Sequence, residues 1–142
     1  MELNWSSFRA TAFRLRPGAD LKSELLRLVN EHQWRAATVL TAVGSLSVVS
    51  LRFANQPNAT KFDGKHEIVS LIGTLSQDGI HLHMSVADSK GQMFGGHVMD
   101  GSLINTTAEI VIGELSELDF KREHCPESGY RELVVLSRSD SA

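Results

Sequence analysis

Gly79-Ile80-His81-Leu82-His83-Met84-Ser85-Val86, joined through Asp88-Ser89-Lys90-Gly91 to Gln92-Met93-Phe94-Gly95-Gly96-His97-Val98, is the stretch that decides how this chain folds. Side chains alternate faces along a strand, so His81 and His83 point one way while Leu82, Met84 and Val86 point the other. That is a strand with one buried face and its histidines on the opposite face. The polar, glycine-ended segment between the two runs suits a three-residue hairpin loop in which Gly91 takes the left-handed conformation. With Ser89, Lys90 and Gly91 as the loop, Asp88 pairs with Gln92, Val86 with Phe94, His83 with His97 and Leu82 with Val98. Three of the six histidines then share one face. A four-residue loop would shift the pairing by one and turn His97 towards the core.

Upstream, residues 6–16 alternate as a strand that Pro17-Gly18 ends. Asp20 is a good N-cap, and Leu21, Leu25, Leu28 and Val29 fall at helical spacing, with Lys22, Arg27 and Glu31 outside. Residues 37–43 predict a buried strand, Gly44-Ser45 a turn, residues 46–53 a second strand, and residues 55–64 a polar loop. Residues 67–75 predict a strand joined to the His81 strand by a two-residue turn at Asp78-Gly79. Downstream, residues 106–114 read as a strand with Ala108, Ile110 and Ile112 on one face, and residues 118–122 and 133–136 as strands completing the sheet. The expected fold class is α+β: a mostly antiparallel sheet of about seven or eight strands with one main helix. We expect a single compact domain over residues 1–142, with its core within 6–136 and a polar tail, 137–142, that frays.

A chain of 142 residues can bury a full core without disulfides. Its 42% hydrophobic and 22% charged content is that of an ordinary globular domain, and no apolar run approaches the roughly 20 residues of a membrane helix. The first residues lack the basic start and apolar segment of a secretory signal, and Cys125 is the single cysteine, so a cytoplasmic location is expected. The net charge of −3 hides a polarity. Residues 1–65 carry nine Lys/Arg against five Asp/Glu, and residues 66–142 carry five against twelve. The isoelectric point of about 6.0 nevertheless argues against a nucleic-acid-binding surface.

Three runs taken in order, residues 67–74, His81-Leu82-His83-Met84-Ser85-Val86 and Gly91-Gln92-Met93-Phe94-Gly95-Gly96-His97, resemble the signature of the plants and prokaryotes conserved (PPC) domain. Residues 39–52, with Gly44-Ser45, fit the same pattern, and the resemblance covers roughly residues 6–136. It implies a compact α+β domain that assembles as a homotrimer. In plant members the domain follows an AT-hook, a minor-groove peptide of the form Arg-Gly-Arg-Pro. Here Arg16-Pro17 is the nearest approach to it, so the resemblance is to the stand-alone prokaryotic type. Those relatives are commonly described as DNA-binding proteins, and the resemblance places a three-histidine metal site at His81, His83 and His97.

The spacing agrees with such a site: two ligands two residues apart on one strand and a third from its neighbour suit zinc, with a fourth position left open as in catalytic sites. The competing reading is a set of partly exposed, hydrogen-bonded histidines near a subunit interface. Glu67 is the candidate for a nearby catalytic carboxylate, against a structural role in its strand. Asp100 and Ser102 could support the ligand histidines or simply make a turn, and Gly95-Gly96 reads as a place for close packing between subunits. His124-Cys125-Pro126 reads as a loop, and His32 and His66 as surface or helix-end residues. Arg9, Arg14, Arg16, Lys22, Arg27 and Arg35 are the most concentrated basic set, and would be the contacts to DNA if there are any. Two functions stay open: a DNA-binding or regulatory protein of the PPC family with a zinc site, and a metal-dependent enzyme or small-molecule-binding protein using the three histidines.

Overall fold

A computed structural model describes residues 1–140. Along the described residues the order is β1 (Phe8–Leu15), α1 (Leu21–Glu31), β2 (Ala37–Arg52), β3 (Thr60–Ser76), β4 (Gly79–Ala87), β5 (Met93–Val98), β6 (Leu103–Leu115), β7 (Leu118–His124) and β8 (Arg131–Ser137). Six strands form an antiparallel sheet in the order β1-β6-β2-β3-β4-β5, while β7 and β8 form a separate ribbon. The α+β class with eight strands and one helix is as expected.

The helix begins where the Asp20 carboxylate accepts the Ser23 N–H at 3.0 Å, capping the first turn. The other oxygen of that carboxylate accepts the Gly101 N–H at 2.5 Å, which ties the helix start to the turn before β6. Leu21, Leu25 and Val29 are fully buried against the sheet, worth about 5–9 kcal/mol together as an upper bound. The helix stops at His32, beyond which Gln33 takes a positive φ of 53°.

Four expectations are corrected. Gly44-Ser45 is no turn: β2 runs unbroken for 16 residues, and the glycine is there because β6 comes very close. A Cβ on Gly44 would stand 2.0 Å from the Thr107 carbonyl oxygen. β3 likewise begins at Thr60, inside the stretch read as a loop, since Thr60 to Asp63 pair with the far end of β2. The hairpin before β4 turns at Gln77-Asp78, one residue earlier than read, because Ser76 pairs with Gly79. The strands at residues 118–122 and 133–136 do not extend the main sheet. They pair with each other, and β7 anchors through a small second core of Ala36, Leu118 and Phe120.

The Asp88 hairpin forms in the expected register. Gly91 has φ 76°, its N–H donates to the Asp88 carbonyl at 2.9 Å, and the Asp88 N–H donates to the Gln92 carbonyl at 3.0 Å. The Asp88 carboxylate also accepts the N–H groups of Lys90 and Gln92, at 2.8 and 2.9 Å. Val86 pairs with Phe94 and His83 with His97.

β5 has a second neighbour. Besides β4 it pairs with the end of β2, Leu51 with Val98 and Arg52 with His97, so β2, β3, β4 and β5 close into a ring around the core. Gly95 and Gly96 make that possible within the chain itself: a Cβ on Gly95 would lie 2.6 Å from the Met84 carbonyl oxygen, and one on Gly96 2.8 Å from that of Arg52. Ser137 ends β8, residues 138–140 form a 3-10 turn, and the Arg138 guanidinium reaches Glu114 and Asp119 at 3.5 and 3.6 Å. Residues 141 and 142 lie outside the described residues.

Candidate metal centre

Leu82, Met84 and Val86 are buried, and strand alternation therefore holds His81 and His83 on the outer face of β4. The hairpin register delivers His97 beside His83. The three rings meet: His81 Nε2 and His83 Nε2 are 3.2 Å apart, and one nitrogen from each of the three residues fits within a 4.8 Å spread. In a tetrahedral zinc site with N–Zn bonds near 2.05 Å, ligand nitrogens lie roughly 3.3 Å apart. The first pair already has that spacing, and bringing the whole set from a 4.8 Å spread to it takes a shift of no more than about 1.5 Å.

Burial pushes the His97 imidazole down to about 4, helped by the neighbouring charges of His81 and Arg52. Burial also lowers His81, helped by His83 and Arg122. Both groups are thus held in the neutral form that can ligate a cation.

The cluster sits in a cleft. One side is a cavity of about 630 Å³ bounded by Arg52, the loop residues Asn55 and Gln56, and Tyr130. The other, of about 360 Å³, is walled by the β7–β8 ribbon, which contributes Arg122, Tyr130, Arg131 and Glu132. Arg122 is fixed there by donating to Thr74 Oγ1 at 2.8 Å, and Thr74 is the cross-strand partner of His81. None of these walls was read from the sequence, because Arg52, Arg122 and Tyr130 lie far along the chain from the histidines and no local motif marks them.

The other candidates lie elsewhere. Glu67 is exposed and pairs with Ala87, four residues along β4 from His83 and so about 13 Å away. Asp100 and Ser102 do not support the histidines: Asp100 faces Lys22 at 3.6 Å, and buried Ser102 braces Ser50, accepting its N–H at 2.9 Å. His66 is buried rather than superficial, with Nδ1 2.9 Å from the Gly64 carbonyl oxygen and its ring edge-on to Phe94. His32 is at the helix end, stacked on Trp34, and His124 and Cys125 lead into the loop before β8. Of the basic set, Arg9 pairs with Glu114 at 2.6 Å, Arg27 with Glu24 and Glu31, and Arg35 with Asp119. Arg14 donates to Thr107 Oγ1 and the Thr106 carbonyl, and Arg16 is exposed. Four of the six cations thus face carboxylates, which weakens the field they could offer to phosphates.

The profile of the Plants and Prokaryotes Conserved (PCC) domain matches residues 3–116, and the chain belongs to this family, whose name is also shortened to PPC. It is 47% identical over 129 residues to the bifunctional protein GlmU of Synechococcus sp., covering 91% of this chain and 20% of that protein. It is 31% identical over 119 residues to AT-hook motif nuclear-localized protein 13 of Arabidopsis thaliana, covering 75% of this chain and 26% of that one. The chain spans about a fifth to a quarter of the length of these curated relatives. Among solved structures it is similar to a hypothetical protein from Salmonella cholerae-suis, with 47% identity, a TM-score of 0.93, and coverage of 95% and 98% of the two chains. The same fold is found in a Bacteroides thetaiotaomicron protein described as a candidate DNA-binding protein, with 22% identity, a TM-score of 0.80 and coverage of 92% and 98%. It is found again in an Archaeoglobus fulgidus protein described as metal-containing, with 21% identity, a TM-score of 0.79 and coverage of 94% and 99%.

Proposed function

We propose that this chain is the subunit of a homotrimer that holds zinc on His81, His83 and His97 and binds a small molecule in the cleft around it. The observation that carries the reading is the convergence of three imidazoles, one nitrogen of each within a 4.8 Å spread, in a walled cleft. All-nitrogen ligation suits zinc, and three protein ligands leave a coordination position for a ligand from the cleft. The metal-containing Archaeoglobus protein, which shares the fold, points the same way.

Self-association is supported by the outer face of the sheet. Between the Thr38–Thr74 and Gly44–Ile68 pairs, β2 carries Leu40 and Val43, and the neighbouring β3 carries Val69 and Ile72. All four are exposed, between 47% and 60%. An aliphatic patch of this kind marks a surface meant to be covered. Ile72 is also the cross-strand partner of His83, so a second copy seated there adjoins the histidines. None of the described helices is long and apolar enough to cross a membrane, and we place the trimer in the cytoplasm.

The test is metal analysis of untagged protein beside His83→Ala. About one zinc per chain is expected for the wild type and a large loss for the variant. A wild type that takes up no zinc when offered it refutes the reading. DNA binding, the role ascribed to the Bacteroides protein, is the second reading. It requires affinity for duplex DNA that falls with salt, and no binding at low salt eliminates it.

A further inference from the structure

We propose that the cleft takes an anionic small molecule whose carboxylate or phosphate group is held by Arg52, next to the three histidines. The proposal rests on the metal reading of the site, since the anion would lie between the guanidinium and the ion. It is carried by register, by pairing and by the shape of the cleft.

Three pairings set out one row across the outer face: Ile72 with His83, His83 with His97, and His97 with Arg52. Directly opposed residues share a face, and neighbouring strands are about 4.8 Å apart. The Arg52 backbone is therefore about 5 Å from that of His97 and about 10 Å from that of His83, within reach of a long side chain. Arg52 borders both cavities that flank the histidines.

The other cations of the cleft are already engaged. Arg122 donates to Thr74, while Arg131 donates to the Arg122 carbonyl and lies 3.7 Å from Asp78. The guanidinium of Arg52 has no carboxylate partner among the described residues. Arg52 is partly buried as a residue, and a guanidinium without a carboxylate partner suits a carboxylate or phosphate, which it takes bidentately. The remaining lining fits a molecule rather than a bare ion. Asn55, which turns the loop with φ 57°, and Gln56 offer amides, and Phe53 and Tyr130 offer aromatic surface. A volume of about 630 Å³ falls within the usual range for small-molecule sites.

The experiment is calorimetric titration of the zinc-loaded full chain with benzoate, phenyl phosphate and, as the neutral counterpart, benzamide. Either anion is expected to bind at least tenfold more tightly than benzamide, and whichever is tighter identifies the group as carboxylate or phosphate. Arg52→Gln should weaken that anion at least tenfold at unchanged zinc content, Arg52→Lys by less, and Lys90→Gln at the distant hairpin tip not at all. Anions that bind no better than benzamide, or an Arg52→Gln protein that binds them like the wild type, overturn the proposal. Zinc content is measured separately. If the wild type takes up no zinc, the metal reading fails. Arg52-dependent binding to the metal-free chain then still upholds the anion site, and its absence overturns that too.

Discussion

Insertion of one glycine between Ser89 and Lys90 sets two energies against each other. In one outcome the longer loop pulls β5 out of register by one residue. Val98, 1% exposed, would then turn outward, Phe94 would leave its contacts with Phe62 and Phe53 at ring separations of 4.6 and 6.4 Å, and His97 would enter the core. Exposing two large apolar side chains and burying an unpartnered imidazole costs on the order of 5 kcal/mol or more. In the other outcome the register holds and the extra residue stays in the loop. Closing four residues instead of three costs about 0.3 kcal/mol. Losing the Asp88 hydrogen bonds to Lys90, Gly91 and Gln92 adds about 1 kcal/mol each. The second outcome wins by about 2 kcal/mol. We therefore expect urea denaturation of the metal-free protein, at fixed concentration, to show a loss of about 3 kcal/mol, with zinc content unchanged after loading. A variant that unfolds at the wild-type midpoint yet takes up no zinc would refute the reasoning, since it would mean that loop length alone sets the register.

Other expectations follow from single contacts. Gly44→Ala places a methyl group 2.0 Å from the Thr107 carbonyl oxygen and should cost about 3 kcal/mol or more, read as a Tm lowered by roughly 6–12 °C. Ile72→Glu, at a side chain 60% exposed, should leave the subunit folded by circular dichroism while its mass in sedimentation equilibrium falls to that of a monomer. The folded state holds His97 near 4, below the ordinary imidazole value of 6.5, so the unfolded chain takes up the proton first as pH falls. The stability contributed by His97 is complete above about 6.5 and is lost between 6.5 and 4. Calorimetry of the metal-free protein should show Tm falling over that window, with a shallower fall in His97→Gln.

What could be read in advance was what local chemistry dictates. Asp88 and Gly91 carry the hairpin in their own hydrogen bonds and backbone angles, and Asp20 carries the helix start, so both stand where the sequence puts them. Gly44 was misread for the opposite reason. Its cause is a strand arriving from more than sixty residues away, and a glycine demanded by close approach looks the same in sequence as one demanded by a turn. The exclusion of residues 118–136 from the main sheet depends likewise on Ala36 and on β8, neither of which the β7 residues announce. The histidine trio was legible because all three histidines lie on one hairpin; the walls of its cleft come from β2 and the β7–β8 ribbon and were not.

The double pairing of β5 has a consequence for the order in which the site is assembled. The three imidazoles belong to a local hairpin, and such structure forms within microseconds of its own accord. Arg52 joins His97 only when β5 docks on the end of β2, a contact spanning 45 positions of chain whose loop-closure entropy must be met late. A nascent chain can therefore gather its histidines before the fold is complete, whereas the guanidinium takes its place only in the finished molecule.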